Sequence, residues 1–278
     1  MTMTDDALLL AEHLTVRFSG ITALADVSLA VGEREVVGLI GPNGAGKTTL
    51  FNCLSGALRP NAGTVRFGGT AIGGLPTHKR ARLGIARTFQ RIELFSGMTV
   101  REHLVVAERA RRRNGALWKD IFGIGRADAE ERTRVDATLA LLGLTADADR
   151  PIEALSLGRG RLVEVGRALM TEPRLLLLDE PSSGLDREET RALSETLRAV
   201  HQQHGTALLL VEHDIDMVLD LVERIYVLDF GTLIAEGPAD EVLRDSRVRE
   251  AYLGEMSITG GAGQAQTGGP VGAAEGTP

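Results

Sequence analysis

One run in this chain carries residue types at a spacing that could do chemistry: Gly41-Pro42-Asn43-Gly44-Ala45-Gly46-Lys47-Thr48-Thr49. It fits the pattern G-x-x-x-x-G-K-[ST], in which glycines let the backbone N–H groups converge on a polyphosphate. Lys47 would reach the β- and γ-phosphates, and the Thr48 hydroxyl would ligate magnesium. The flanks agree with that chemistry. Glu35-Val36-Val37-Gly38-Leu39-Ile40 is short, apolar and β-branched, which reads as a buried strand, and Thr49-Leu50-Phe51-Asn52-Cys53-Leu54 reads as the first turns of a helix. A strand turning through glycines into a helix aims N–H groups and the positive helix end at one point, where an anion is stabilised.

A second run could complete such a site. Arg174-Leu175-Leu176-Leu177-Leu178-Asp179-Glu180 is an apolar strand ending in two carboxylates. At such a strand end in a nucleotide hydrolase the aspartate holds magnesium, so Asp179 is the expected metal residue. The adjacent Glu180 is placed to polarise a water for attack on the γ-phosphate, as general base.

These residues need a scaffold, and the pattern supplies one. From about Leu8 to Val37 the chain reads as antiparallel β structure, with alternation in Glu12-His13-Leu14-Thr15-Val16-Arg17-Phe18 and turns at Gly20 and Gly32. Thr64-Val65-Arg66-Phe67-Gly68-Gly69 reads as another short strand and turn. From about Val100 to Leu144, Arg, Glu, Ala and Leu dominate, broken at Asn114-Gly115 and Gly123–Gly125, and a helical subdomain inserted in the core is expected over about 96–160. Strand and helix patterns then alternate: Leu175–Leu178, a charged helix from Arg187, Thr206–Val211, Asp214–Val222 and Ile225–Leu228. Alternation of this kind predicts an α/β fold with a mainly parallel sheet. The residues from about Gly260 are Gly, Ala, Gln, Thr and Pro without aromatics, so 256–278 is expected to be a disordered tail after a domain spanning 1–255.

Composition narrows the classes. Of 278 residues 43% are hydrophobic and 25% charged, an ordinary globular balance. A net charge of −7 argues against a general nucleic-acid binder. The single cysteine, Cys53, excludes an internal disulfide, fits a reducing compartment and reads as a buried small residue. The acidic start and the short Leu8-Leu9-Leu10 run do not make a signal peptide. No run approaches the roughly eighteen apolar residues of a membrane span. A cytoplasmic protein is expected, serving any membrane process through a partner. Arg109, Arg111, Arg112 and Arg113 read as a solvated basic helix face, with lipid headgroups or a partner's acidic loop as the alternative. Asp229-Phe230-Gly231 spells a kinase metal motif, but the companion H-R-D and V-A-I-K motifs are absent, and the run reads as a β-hairpin turn.

From about Leu8 to Gly254 the chain resembles the ATP-binding-cassette ATPases, the motor subunits of ABC transporters, with a P-loop NTPase core, an N-terminal antiparallel β subdomain and the helical insertion. Leu155-Ser156-Leu157-Gly158-Arg159 stands where the family has its LSGGQ signature. Gln90, in Arg87-Thr88-Phe89-Gln90, resembles the glutamine that senses magnesium and the attacking water. Ser183-Gly184-Leu185-Asp186 resembles the D-loop, Val211-Glu212-His213-Asp214 the histidine switch, and Phe18 the aromatic that stacks on adenine. The resemblance thus implies ATP and Mg²⁺ as cofactors and catalytic roles for Glu180, His213 and Gln90. It implies metal contact from Thr48, Gln90 and Asp179. Ser156 and Gly158 would touch the γ-phosphate of a second subunit, because two cassettes meet head to tail in the family. Arg159 and Leu157 depart from the family's usual residues.

Leu94-Phe95-Ser96-Gly97-Met98-Thr99-Val100 after Gln90, the insertion with Trp118, Phe122 and Gly123, and Ala251-Tyr252-Leu253-Gly254-Glu255 are similar to the branched-chain amino acid importers. That similarity implies membrane permease subunits, a second ABC ATPase and, indirectly, an extracytoplasmic solute-binding protein as partners, with this chain at the cytoplasmic face of the membrane and no nucleic acid involved. Import of urea, amides or other small solutes and lipopolysaccharide export remain alternatives. A soluble cassette protein fits less well, since the chain has one phosphate loop and about 66 residues from Gln90 to Ser156, too few for a long coiled coil. A metabolic kinase would lack the signature and the histidine.

Overall fold

Short apolar runs form the centre of the molecule. The structure, a computed structural model, describes residues 7–88, 94–112 and 129–251. Gln90, Arg113, both expected helix breaks, Trp118, Phe122, Tyr252–Glu255 and the tail lie outside the described residues. A six-stranded sheet runs in the order β10-β9-β3-β8-β7-β6. Its strands are β3 (Val36–Ile40), β6 (Ile85–Arg87), β7 (Leu175–Asp179), β8 (Ala207–Val211), β9 (Arg224–Asp229) and β10 (Thr232–Pro238). All pairs are parallel except the hairpin of β9 with β10. β3, β7 and β8 are buried at every position, which is why they read as unbroken apolar runs: both faces of a parallel sheet are covered.

Alternate residues of those strands feed two cores. Val37, Leu39, Leu177, Leu209 and Tyr226 face the first, closed by helix α1 (Lys47–Ser55) and by an antiparallel sheet of β1 (Leu9–Phe18), β2 (Ile21–Val31), β4 (Ala62–Phe67) and β5 (Thr70–Ala71). Ile40, Leu176, Leu178, Leu208, Leu210 and Val227 face the second. That core is closed by α3 (Val100–Arg112), α4 (Ala129–Leu141), α5 (Leu157–Leu169), α6 (Arg187–His204) and α7 (Ile215–Leu221). Helix α2 (Thr77–Leu83) precedes β6, and α8 (Ala239–Val242) follows β10. Each buried leucine contributes about 1.5–3 kcal/mol. Tyr226 and Arg224 bolt the two sheets together: Ala30 N–H donates to the Tyr226 hydroxyl (3.0 Å), and Arg224 donates to Glu35 (2.8 and 3.0 Å) and to the Ala30 carbonyl (3.0 Å).

Two readings need correcting. The antiparallel region ends with β2, because Val36 and Val37 pair in parallel with β8 and belong to the central sheet. The arginines of α3 do not form a solvated face. Arg109 makes a two-pronged bond to Glu131 of α4 (3.0 and 3.0 Å). Glu108, fully buried, accepts from Arg111 (3.2 and 3.1 Å) and Arg112 (2.5 Å) and lies 3.5 Å from Arg134. Glutamates three or more residues away turned a basic stretch into an internal ion network.

Candidate active site

Close glycine contacts and the Lys47 ammonium hold the shape of the phosphate loop. Gly41 has φ 148°, and a Cβ there would lie 2.0 Å from the Leu228 carbonyl oxygen, so only glycine fits against β9. Gly46, the residue capping α1, has φ 105°, and its Cβ would lie 2.6 Å from the Ala23 carbonyl oxygen. The Lys47 ammonium, buried, donates to the carbonyls of Gly41 (2.5 Å) and Pro42 (2.9 Å), which draws the loop closed around it. The Phe230-Gly231 turn supports it from beneath, through Gly231 N–H to the Ala45 carbonyl (2.9 Å), so Asp229-Phe230-Gly231 is indeed the hairpin turn. At the far end of α1, Arg80 is buried and donates to the Cys53 and Leu54 carbonyls (2.7 Å each), a cation on the negative helix end. Burial pushes the Cys53 thiol up to about 11, so it is not a nucleophile.

Asp179 ends β7, beside Val211 at the end of β8. Its carboxylate accepts from Arg87 (2.8 Å), whose guanidinium also donates to Asn52 (2.7 Å) and Ser55 (3.1 Å) on α1. Arg87 therefore ties the expected metal carboxylate to the helix of Lys47 and Thr48, a role that sequence reading did not assign. A hydroxyl from Thr48 and a carboxylate from Asp179 make an all-oxygen donor set, the kind that magnesium takes with substrate phosphates and water.

At Glu180 the chain turns sharply, with φ 49°, and its N–H still donates to the Val211 carbonyl (2.9 Å). Left-handed backbone at a non-glycine costs about 1–3 kcal/mol and is retained where the position of a side chain matters. Its Oε1 meets Nε2 of His213 at 2.7 Å. A carboxylate only accepts, so Nε2 carries the proton in this arrangement. The fold thus unites two predicted residues 33 apart. Phe18, at the end of β1, is half exposed beside the Ser19–Gly20 turn.

Ser156 caps α5, its hydroxyl accepting from Arg159 N–H (3.4 Å). Gly158 N–H donates to Glu189 of α6 (3.3 Å). The unusual Arg159 turns into its own chain, pairing with the buried Asp147, which also accepts from Arg150 (2.7 Å). Asp186 caps α6, accepting from Glu188 and Glu189 N–H (2.9 Å each). Pro42 to Ala45 line one cavity with Phe230 and Arg247, and Ser156, Gly158 and Arg159 line another.

Known proteins resemble this chain along most of its length. Residues 24–183 match the family described as "ABC transporter", and residues 232–256 match "Branched-chain amino acid ATP-binding cassette transporter". The chain is 41% identical over 251 residues to the high-affinity branched-chain amino acid transport ATP-binding protein LivG of Salmonella typhimurium, covering 89% of this chain and 98% of the relative. It is 34% identical to the lipopolysaccharide export system ATP-binding protein LptB of Haemophilus influenzae, covering 90% and 98%. Among solved structures it superposes on the ADP conformation of an ATP-binding cassette of an ABC transporter with a TM-score of 0.79 and 32% identity, covering 89% and 99%. The phosphate loop, the paired carboxylates and the extent of these matches together place the chain in the ABC transporter family, as one of its ATP-hydrolysing subunits.

Proposed function

We propose that this chain drives import of branched-chain or related amino acids, hydrolysing ATP at the cytoplasmic face of the membrane while permease subunits carry the solute. The observation that carries the reading is the Glu180–His213 contact beside the phosphate loop and Asp179. Gly41 to Thr49 would bind the phosphates, with Lys47 leaving the loop carbonyls for phosphate oxygens, and Phe18 would stack on the base. Thr48, Asp179 and Gln90 would hold magnesium, which when bound offsets phosphate charge. Glu180 would accept the proton of the attacking water, with His213 orienting it. Ser156 and Gly158 would complete the site of a second cassette, homologous or identical.

A groove of about 840 Å³ supports the permease reading. It runs between the α2–β6 segment, with Arg82 and Thr88, and helices α3 and α5, with Arg111 and Arg167. Thr88 lies two residues before Gln90, so a permease segment seated there would adjoin the route to the nucleotide. Among the described residues no helix is long and apolar enough to cross a membrane, which leaves translocation to the partner. The match over 232–256 and the higher identity to LivG favour amino acids over lipopolysaccharide.

The test is capture of partners by tagged Glu180→Gln protein with ATP from mild-detergent extracts of native membranes. Two polytopic permeases, a second cassette and an associated amino-acid-binding protein are expected. Recovery of a lipopolysaccharide-export permease, or of ribosomal proteins without any permease, would contradict the proposal.

A further inference from the structure

The carboxylate of Glu212 is buried, 1% exposed, at the point where β7 and β8 stop pairing. It accepts four hydrogen bonds. Its Oε1 accepts from Ser182 N–H (2.8 Å), and its Oε2 from the Ser182 hydroxyl (2.8 Å), His213 N–H (3.0 Å) and, more weakly, Asp214 N–H (3.4 Å). Three of the four donors converge on Oε2, so this oxygen in particular ties the Ser182 hydroxyl to the backbone of the loop after β8. No cation pairs with it among the described residues, so its partners are the backbone and hydroxyl donors of two loops.

Those loops carry the reacting pair. Ser182 lies two residues after Glu180, and His213 follows Glu212 directly. The ladder between β7 and β8 ends at Asp179 and Val211, with Glu180 N–H to the Val211 carbonyl as the last backbone bond between them. Past that bond the two loops have no ladder to fix their separation, and Glu212 bridges them. We propose that Glu212 is a positioning residue for ATP hydrolysis, setting the distance between Glu180 and His213 by clamping the loop after each strand. The inference rests on the roles proposed above for Glu180 and His213. Glu212 faces neither nucleotide nor metal on this account, so its loss acts on turnover and not on binding. A glutamine at 212 keeps the volume but turns a donor toward donors, leaving His213 N–H or Ser182 N–H without its acceptor, which is costly in a buried site.

The experiment compares full-length wild type, Glu212→Gln, Ser182→Ala, His213→Ala and the Glu212→Gln/His213→Ala double variant. It measures steady-state ATP hydrolysis, equilibrium binding of a fluorescent ATP analogue and thermal melting. Glu212→Gln is expected to lower kcat by about ten-fold or more while KM and analogue affinity stay within about two-fold. The double variant is expected to be no slower than His213→Ala, because residues acting as one unit are not additive. Ser182→Ala, which removes one of the four donors, should lower kcat less, in the same sense, and it decides the matter if Glu212→Gln does not fold. Wild-type kcat in folded Glu212→Gln, or losses that multiply in the double variant, would overturn the role of Glu212 while leaving that of His213 intact. Wild-type turnover in His213→Ala would overturn the reading of the site itself, and this inference with it.

Discussion

His213 Nε2 stands 2.7 Å from Glu180 Oε1, joining the residue just past the end of β7 to the loop after β8. A carboxylate bonded to an imidazole, on the loops after β7 and after the β8 strand that pairs with β3 ahead of the phosphate loop, would on the proposed reading take a proton from water. Glu180→Gln keeps shape and hydrogen bonding but removes the base, and general base catalysis is worth about 10²–10⁴-fold. Hydrolysis should fall by that order while ATP binding persists, which steady-state rates and an equilibrium titration will separate.

Lys47 makes its hydrogen bonds to loop carbonyls that phosphate oxygens would replace. Charge-assisted hydrogen bonds are worth about 1.5–3 kcal/mol each, so Lys47→Ala should weaken ATP binding by about 100-fold or more. Isothermal titration with Mg-ATP measures it, and unchanged affinity would remove the phosphate-loop assignment. Gly41→Ala should act differently, lowering the melting temperature even without nucleotide, because its Cβ would sit 2.0 Å from the Leu228 carbonyl oxygen.

Acid should weaken the fold in two stages. His103 is buried, accepting from Phe95 N–H on Nε2 (2.9 Å) and facing the Thr99 carbonyl with Nδ1 (2.8 Å). Burial lowers its pKa below 6.5, so between that folded value and 6.5 the unfolded chain binds more protons and stability falls as pH falls. For Glu108, burial raises the pKa, but the bonds from Arg111 and Arg112 and the nearby Arg134 outweigh it and leave the group below 4.5. Its contribution is therefore full above pH 4.5 and lost further down. Urea melts at pH 7.5, 5.5 and 4 should show both steps, with the first absent in His103→Gln.

Arg159 bonds to Asp147 from a half-exposed position, whereas Asp147 itself is buried and also holds Arg150. Arg159→Gln should cost less than about 1 kcal/mol and leave ATP hydrolysis in place. Asp147→Ala should cost more, about 1.5–3 kcal/mol, since it removes the carboxylate that accepts charge-assisted bonds from two guanidinium groups. Chemical denaturation of the two variants distinguishes these outcomes.

Sequence patterns revealed much of this because chemistry and period coincide in them. Leu175–Leu178 and Ala207–Val211 read as doubly covered strands, and glycines at 41 and 46 before Lys47 read as a strand turning into a helix around an anion. What stayed hidden depends on partners distant in the chain. Arg87 was legible as part of a motif, but not as the residue bound to Asp179, 92 positions away. Glu212 was read as a neighbour of His213, though its acceptors serve Ser182, 30 positions earlier. The arginines of α3 looked solvated until α4 folded Glu131 against Arg109. Charge pairing between separate elements has no period to betray it.

The central claim is tested most directly by the mass of Glu180→Gln in solution, measured by light scattering with Mg-ATP and then with Mg-ADP. The account predicts a dimer with ATP and a monomer with ADP, with bound ATP recovered unhydrolysed from the dimer. A monomer in both nucleotides, with ATP hydrolysed at the wild-type rate, would contradict it.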